Sequence, residues 1–237
     1  MLKIAIILKG PLRCSLNQVV ENYQLLNSHF QHDEYEIDRY FFSYNNEKSK
    51  EFLRLISNFD YISLTKRVSD ETILGRLLTT KNSAARRYPH AIFSQNVYRL
   101  FSMNKFIGQF IAAQNINYDF VICSRTELGI KLEKLEEWFD KDKYCCPIPS
   151  KPPFPNDCFS ISTLDNFVKA WDYHNLEIFN ELNEKSDNTE NLLHLIITMN
   201  NVGYKGCPTK FLWINKGGNE RSYYRGDKDN QDRSLQS

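Results

Sequence analysis

Several common organising signatures are missing from this 237-residue sequence. Its six cysteines, Cys14, Cys123, Cys145, Cys146, Cys158 and Cys207, include no Cys-x-x-Cys and lie mostly among apolar neighbours. That spacing excludes a zinc ribbon and points to reduced, buried thiols rather than disulfides. The Gly-x-x-x-x-Gly-Lys-Ser/Thr spacing of a P-loop is absent, and so is Gly-x-Gly-x-x-Gly. There is no Gly-x-Ser-x-Gly, no His-Glu-x-x-His, and no cysteine with an evident histidine partner, so the familiar nucleophile arrangements drop out. Charge of one sign is not in excess: 30 Lys and Arg stand against 29 Asp and Glu. No global field then favours nucleic acid or an anionic membrane, and any anion site must be local. No apolar run is long enough for export or for crossing a bilayer, which predicts a cytoplasmic protein without a transmembrane segment. Repeats, heptads and low-complexity tracts are lacking as well.

What is present is a set of short apolar runs. At 41% hydrophobic the chain can bury a proper core. Ile4 to Leu8 and Phe120 to Cys123 are wholly apolar, as strands covered on both faces are. Tyr35 to Tyr44, Tyr61 to Leu64, Lys143 to Pro147, Cys158 to Ser162 and Lys210 to Ile214 read as further strands. Ser15 is placed to cap a helix carrying Val19, Val20, Tyr23 and Leu26, and Glu51 to Ser57 looks helical. Gln95 to Asn115 is the clearest helix, with Arg99 on its polar side. Thr163 is placed to cap a helix whose apolar face runs from Leu164 to Leu182, and Thr189 to Asn201 forms another. Alternation of strand and helix predicts an α/β fold with a mostly parallel central sheet flanked by helices, in one domain over 1–214. Residues 215–237, poor in apolar side chains, are expected to form a mobile polar tail.

Two strand ends carry candidate chemistry. Lys9-Gly10-Pro11 stops the first run abruptly, so that Gly10 can bring backbone close to a ligand while Lys9 and Arg13 meet phosphate. After Cys123 the chain turns to Ser124-Arg125-Thr126-Glu127, projecting a cation and an acid from the carboxyl end of a central strand, where open α/β sheets bind ligands. A guanidinium suits phosphate oxygens and a carboxylate can hold a divalent cation, although a surface ion pair reads the same way. Arg86 and Arg87 belong to a basic stretch from Thr65 to His90 that fits a solvated face or a loop over phosphates. Asn156-Asp157 could place a carboxylate at a sugar hydroxyl and is also ordinary turn chemistry. Glu190 suits the first turn of its helix by charge alone.

Gly10-Pro11-Leu12-Arg13, Gln95, Tyr118 to Leu128, Asn156-Asp157, and Glu190 ahead of Leu192-Leu193 together resemble, in order and spacing, the pattern of small GT-A-type glycosyltransferases. These occur in bacteria and large DNA viruses and build surface glycans. The resemblance covers roughly four-fifths of the chain, each motif alone being short. It implies a GT-A, Rossmann-like fold and transfer of a sugar from a nucleotide-sugar donor to a hydroxyl of a glycan acceptor. In those terms Lys9, Gly10, Arg13, Gln95, Arg86 and Arg125 would hold the nucleotide. Glu127 would ligate Mn²⁺ or Mg²⁺, and Arg125 would stabilise the leaving diphosphate. Asp157 or Glu190 would serve as base. The chain departs from the family's metal-binding Asp-x-Asp, with Arg125 in the first acid's place and Glu127 in the second's. That leaves either a weakly held metal or neutralisation by Arg125, Lys9 and Arg13 alone. An inactive nucleotide-binding module and a nucleotidyltransferase are the alternatives.

Overall fold

The computed structural model describes residues 1–66, 90–147, 155–186, 188–214 and 220–225, with 90–96, 210–214 and 220–225 described by backbone alone. The strands expected in the first half are β1 (Leu2–Lys9), β2 (Tyr35–Tyr44), β3 (Tyr61–Thr65) and β4 (Phe120–Arg125). With β6 (Lys143–Pro147), β7 (Phe159–Ser162) and β8 (Gly203–Cys207) they build a seven-stranded sheet in the order β3-β2-β1-β4-β7-β6-β8. The first four in that order are mutually parallel, β7 runs against β4 and β6, and β6 and β8 are parallel to each other. Only β7 is therefore reversed. The run from Phe120 to Ser124 is wholly buried and stands in the middle of the sheet, as its apolar composition requires.

Alternation along the strands separates the two faces. Ala5, Ile7, Val121 and Cys123 face α3 (His90–Ala113), α4 (Leu164–Trp171), α5 (Leu176–Lys185) and α6 (Thr189–Met199), where they join Phe101, Phe167, Trp171 and Leu193 in one core. Helices α3 and α4 approach closely at Gly108, where a Cβ would lie 3.2 Å from Val168 Cγ2. Ile4, Ile6, Phe120 and Ile122 face the other way, toward Leu26 and Phe30 at the end of α1 (Leu16–Ser28) and toward Trp138. Leu8 and Phe41 pack there with Val19, Tyr23 and Phe52, the last from α2 (Glu47–Leu55). The cap at Ser15 forms as expected, a capping box with Gln18 answering it.

The structure differs from the sequence reading at four places. Leu128–Leu132 is a strand, β5, that leaves the main sheet and pairs with β9 (Thr209–Ile214) in a second, three-stranded sheet. Glu220–Arg225, expected inside a mobile tail, is β10 and pairs antiparallel with β9, so the fold continues past 214. The apolar face from Leu164 to Leu182 belongs to two helices, separated by a turn in which His174 adopts φ 58° and Asn175 caps the second. Gly203–Cys207 is a strand that the sequence did not mark. All six cysteines are free and buried, and among the described residues no helix is long and apolar enough to cross a membrane.

Candidate functional site

The carboxyl ends of β1 and β4 lie side by side, with Lys9 in register with Arg125. Neighbours across a parallel ladder point to the same face, so both cations project toward the α3 and α4 side at the edge of the sheet. Lys9 is 2% exposed, although lysine is seldom fully buried without a charged partner. Its ammonium donates to Asn104 Oδ1 and lies 5.0 Å from the Trp171 ring centroid. Among the described residues no carboxylate pairs with it. Burial pushes the nearby Cys123 thiol up despite Lys9, so that group remains neutral and supplies no countercharge. Directly after Lys9 the chain turns at Gly10, whose φ of 103° favours glycine, and open space lies where a Cβ would stand. Gly10 N–H donates to the Phe42 carbonyl and Ser43 Oγ donates to the Gly10 carbonyl, which holds the turn.

Beyond β4 a tight corner carries the chain from the main sheet into β5. Thr126 N–H donates to the Lys9 carbonyl, Thr126 Oγ1 to the Pro11 carbonyl and Asn22 Nδ2 to the Thr126 carbonyl. These bonds fix how Arg125 and Glu127 are presented. Arg125 Nη2 donates to Glu127 Oε1, and Thr126 Oγ1, whose one proton goes to the Pro11 carbonyl, lies 3.2 Å from Glu127 Oε2. On its other side Arg125 Nη1 lies 4.0 Å from Asp157 Oδ2. Burial works against the guanidinium charge, but Cys158, Glu127 and Asp157 outweigh it and hold the pKa above its ordinary value. Burial, with Asp157 adjacent, pushes the Cys158 thiol well up, and that thiol donates to Asp157 Oδ1 at 3.2 Å. Asn156 Oδ1 accepts from Cys158 N–H at 2.7 Å and shapes the turn beneath Asp157.

These ends open on a cavity of about 710 Å³. Among the described residues, Lys9, Arg13, Lys66, Arg99 and Arg125 contribute five cations to its wall, and Asp157 contributes one acid. Gly10 and Thr189 also line it. Of the candidate site residues, Lys9, Gly10, Arg13, Arg125 and Asp157 thus line one cavity. Glu127 is set behind Arg125 at 3% exposure and is outside the lining, while Glu190 follows the lining residue Thr189 at the start of α6. Arg86 and Arg87 lie outside the described residues, and Gln95 falls where only the helix backbone is described. The sequence placed Arg99 on the polar side of its helix and did not mark it as a site residue. It is 8% exposed and lines both this cavity and an adjoining cleft of about 190 Å³. Helical periodicity separates polar from apolar faces, but it does not distinguish a polar face toward bulk water from one lining a cavity.

The side chains do not fit the divalent cation that the family resemblance implies. Mn²⁺ and Mg²⁺ want several oxygen ligands, carboxylates foremost. Glu127 Oε1 is taken by Arg125, and the Arg125 guanidinium stands between Glu127 and Asp157, where a cation bridging the two acids would have to sit. Among the described residues no three His, Cys, Asp or Glu side chains are grouped as a metal site.

No family model matches the chain, and no curated protein matches it either. Among solved structures it is similar to the galactosyltransferase LgtC in complex with donor and acceptor sugar analogues, at TM-score 0.49 and 11% identity, covering 85% of this chain and 72% of that one. An active-site mutant of LgtC gives TM-score 0.46 and 12% identity over 81% of this chain and 70% of that one. The apo form of the glycosyltransferase GlyE of Streptococcus pneumoniae TIGR4 gives TM-score 0.46 and 12% identity, over 86% of this chain and 45% of that one.

Proposed function

We propose that this chain is a GT-A-type glycosyltransferase that moves a sugar from a nucleotide-sugar donor to a hydroxyl of a glycan acceptor. One observation carries the reading: an ammonium and a guanidinium, adjacent in register at the carboxyl ends of two central strands, meet in a cavity whose described lining holds five cations and one acid. A buried ammonium with no anionic partner is costly, and a polyanionic ligand supplies the missing charge. Such a site selects a diphosphate. The sequence motifs at Gly10 to Arg13, Tyr118 to Leu128 and Asn156-Asp157 add the sugar-transfer reading.

In this reading Gly10, Arg13 and Lys9 hold the nucleotide, with Gln95 and Arg86 as further candidates, and Arg125 faces the diphosphate. As the bond between the anomeric carbon and the phosphate oxygen breaks, its electron pair goes to the leaving diphosphate. Arg125 and Lys9 stabilise the charge that grows there. The acceptor oxygen forms the new bond and gives up its proton. Asp157, the acid in the described cavity wall, would receive it in an inverting transfer. Glu190 is the second candidate base. Glu127 holds Arg125 in position.

The test is donor consumption by the purified protein over a panel of nucleotide-sugars, read as released nucleoside diphosphate, beside an Arg125→Ala variant. Turnover that falls at least about a hundredfold in the variant supports the reading, in line with loss of one charge-stabilising group. Absence of both binding and turnover with every donor would sink it. Binding without turnover would instead favour a nucleotide-binding module, which the absence of a second acid beside Asp157 in the described lining motivates. A nucleotidyltransferase would want clustered acids there.

A further inference from the structure

We propose that this cavity neutralises its diphosphate with side-chain cations alone, and that Arg125 occupies the place between two acids that a divalent ion would otherwise take. The proposal rests on the reading of the cavity as a nucleoside-diphosphate site. One side of the Arg125 guanidinium donates to Glu127, and the other lies 4.0 Å from Asp157. Two carboxylates bracketing a cation are what a bridging metal would need, and here that cation is covalently part of the chain. It cannot be chelated away or exchanged, and its pKa is held high by the same neighbours.

The remaining lining points in the same direction. Lys9, Arg13, Lys66 and Arg99 stand around the same space, so a divalent ion entering it would meet four further positive charges. Asp157 is the lining's one acid among the described residues, and one of its oxygens already accepts the Cys158 thiol. A diphosphate, by contrast, finds donors at every side. Two of them are held before it arrives: Lys9 by Asn104 and Trp171, and Arg125 by Glu127. Preorganised donors of this kind need little rearrangement on binding. Glu127 is thus a positioning residue acting through Arg125, and not a metal ligand.

The experiment measures binding of UDP, GDP, CDP and ADP to the full chain by titration calorimetry, once in EDTA and once in manganese. The expected result is that at least one nucleoside diphosphate binds in EDTA, with a Kd that manganese changes by less than about tenfold, under 1.4 kcal/mol. Binding that requires manganese, or tightens by more, overturns the metal-free inference and leaves the glycosyltransferase reading standing. Failure of all four to bind in either condition overturns that reading itself, and this inference with it. A variant combining Arg125→Ala with Glu127→Gln leaves no Glu127 carboxylate buried without its partner. It is expected to weaken binding in EDTA at least about tenfold, with the melting temperature recorded beside it. Unchanged affinity in a folded double variant would also overturn the proposal.

Discussion

Lys9 shows how one side chain can link stability to binding. Its ammonium is 2% exposed and among the described residues has a neutral amide and an indole face but no carboxylate for company, so there the charge is buried without an anionic partner. Lys9→Met keeps the length and apolar bulk of the stem and removes that charge. Asn104 Oδ1 then loses its donor, a cost of about 1–3 kcal/mol, against several kcal/mol recovered by no longer burying an unpaired ion. The ligand-free melting temperature of Lys9→Met is therefore expected to equal or exceed that of the wild type in a thermal scan. Diphosphate affinity moves the other way. A hydrogen bond to a charged group contributes about 1.5–3 kcal/mol, so Kd rises about tenfold to a hundredfold. Wild-type affinity in Lys9→Met would mean that Lys9 does not touch the anion.

Among the elements, α1 is tied to the second sheet through a titratable group. His29 caps its end, Leu132 N–H donates to His29 Nε2 at 3.3 Å, and the Ile130 carbonyl lies 3.2 Å from the same nitrogen. Burial lowers the His29 pKa from 6.5; Ile130 works against that shift and Lys131 adds to it. A histidine with a lowered folded pKa gains its proton first in the unfolded chain. Its contribution to stability is then complete above the unfolded pKa, and it is lost as pH falls below about 6.5 until the folded pKa is passed. His29→Gln can keep an acceptor for Leu132 N–H without titrating. Melting temperatures followed between about pH 7 and pH 5 should fall less steeply in His29→Gln than in the wild type. Parallel curves would show that His29 is not responsible.

The same scale shows what could be read from sequence. The runs Ile4 to Leu8 and Phe120 to Cys123 were legible because a strand covered on both faces needs nothing but apolar residues, and each ends where its sequence turns polar. The break between α4 and α5 was hidden because both helices pack on one core, so the apolar stripe continues through Asp172 to Asn175 while the backbone does not. Gly203–Cys207 was hidden for the opposite reason. Gly, Tyr, Lys, Gly and Cys have no strand periodicity, and the segment is a strand because it lies against β6. At the site, Lys9, Arg13, Arg125 and Asp157 were legible from strand ends and turns. Arg99 was not, because a long-range cavity decides its environment.

Over the whole molecule, charge is distributed so that a local site dominates a nearly neutral surface. The formal net charge is +1, so long-range steering of an anion toward the protein is weak. The cavity nevertheless gathers Lys9, Arg13, Lys66, Arg99 and Arg125 against Asp157. Lys9 and Arg99 are buried and Arg125 is partly buried, so these three are less screened, whereas Arg13 and Lys66 are exposed, where salt with a Debye length of about 10 Å at 0.1 M acts on them. Affinity for a nucleoside diphosphate should therefore fall only in part as salt rises, since Lys9 and Arg125 remain in place. The wild type at a ligand concentration of about a hundred times Kd gains about 2.7 kcal/mol, a rise of roughly 5–10 °C in melting temperature for a chain of this size. Scans repeated in rising salt at fixed ligand should reduce that rise without abolishing it. Complete loss at moderate salt would place the anion on Arg13 and Lys66 alone, with Lys9, Arg99 and Arg125 uninvolved.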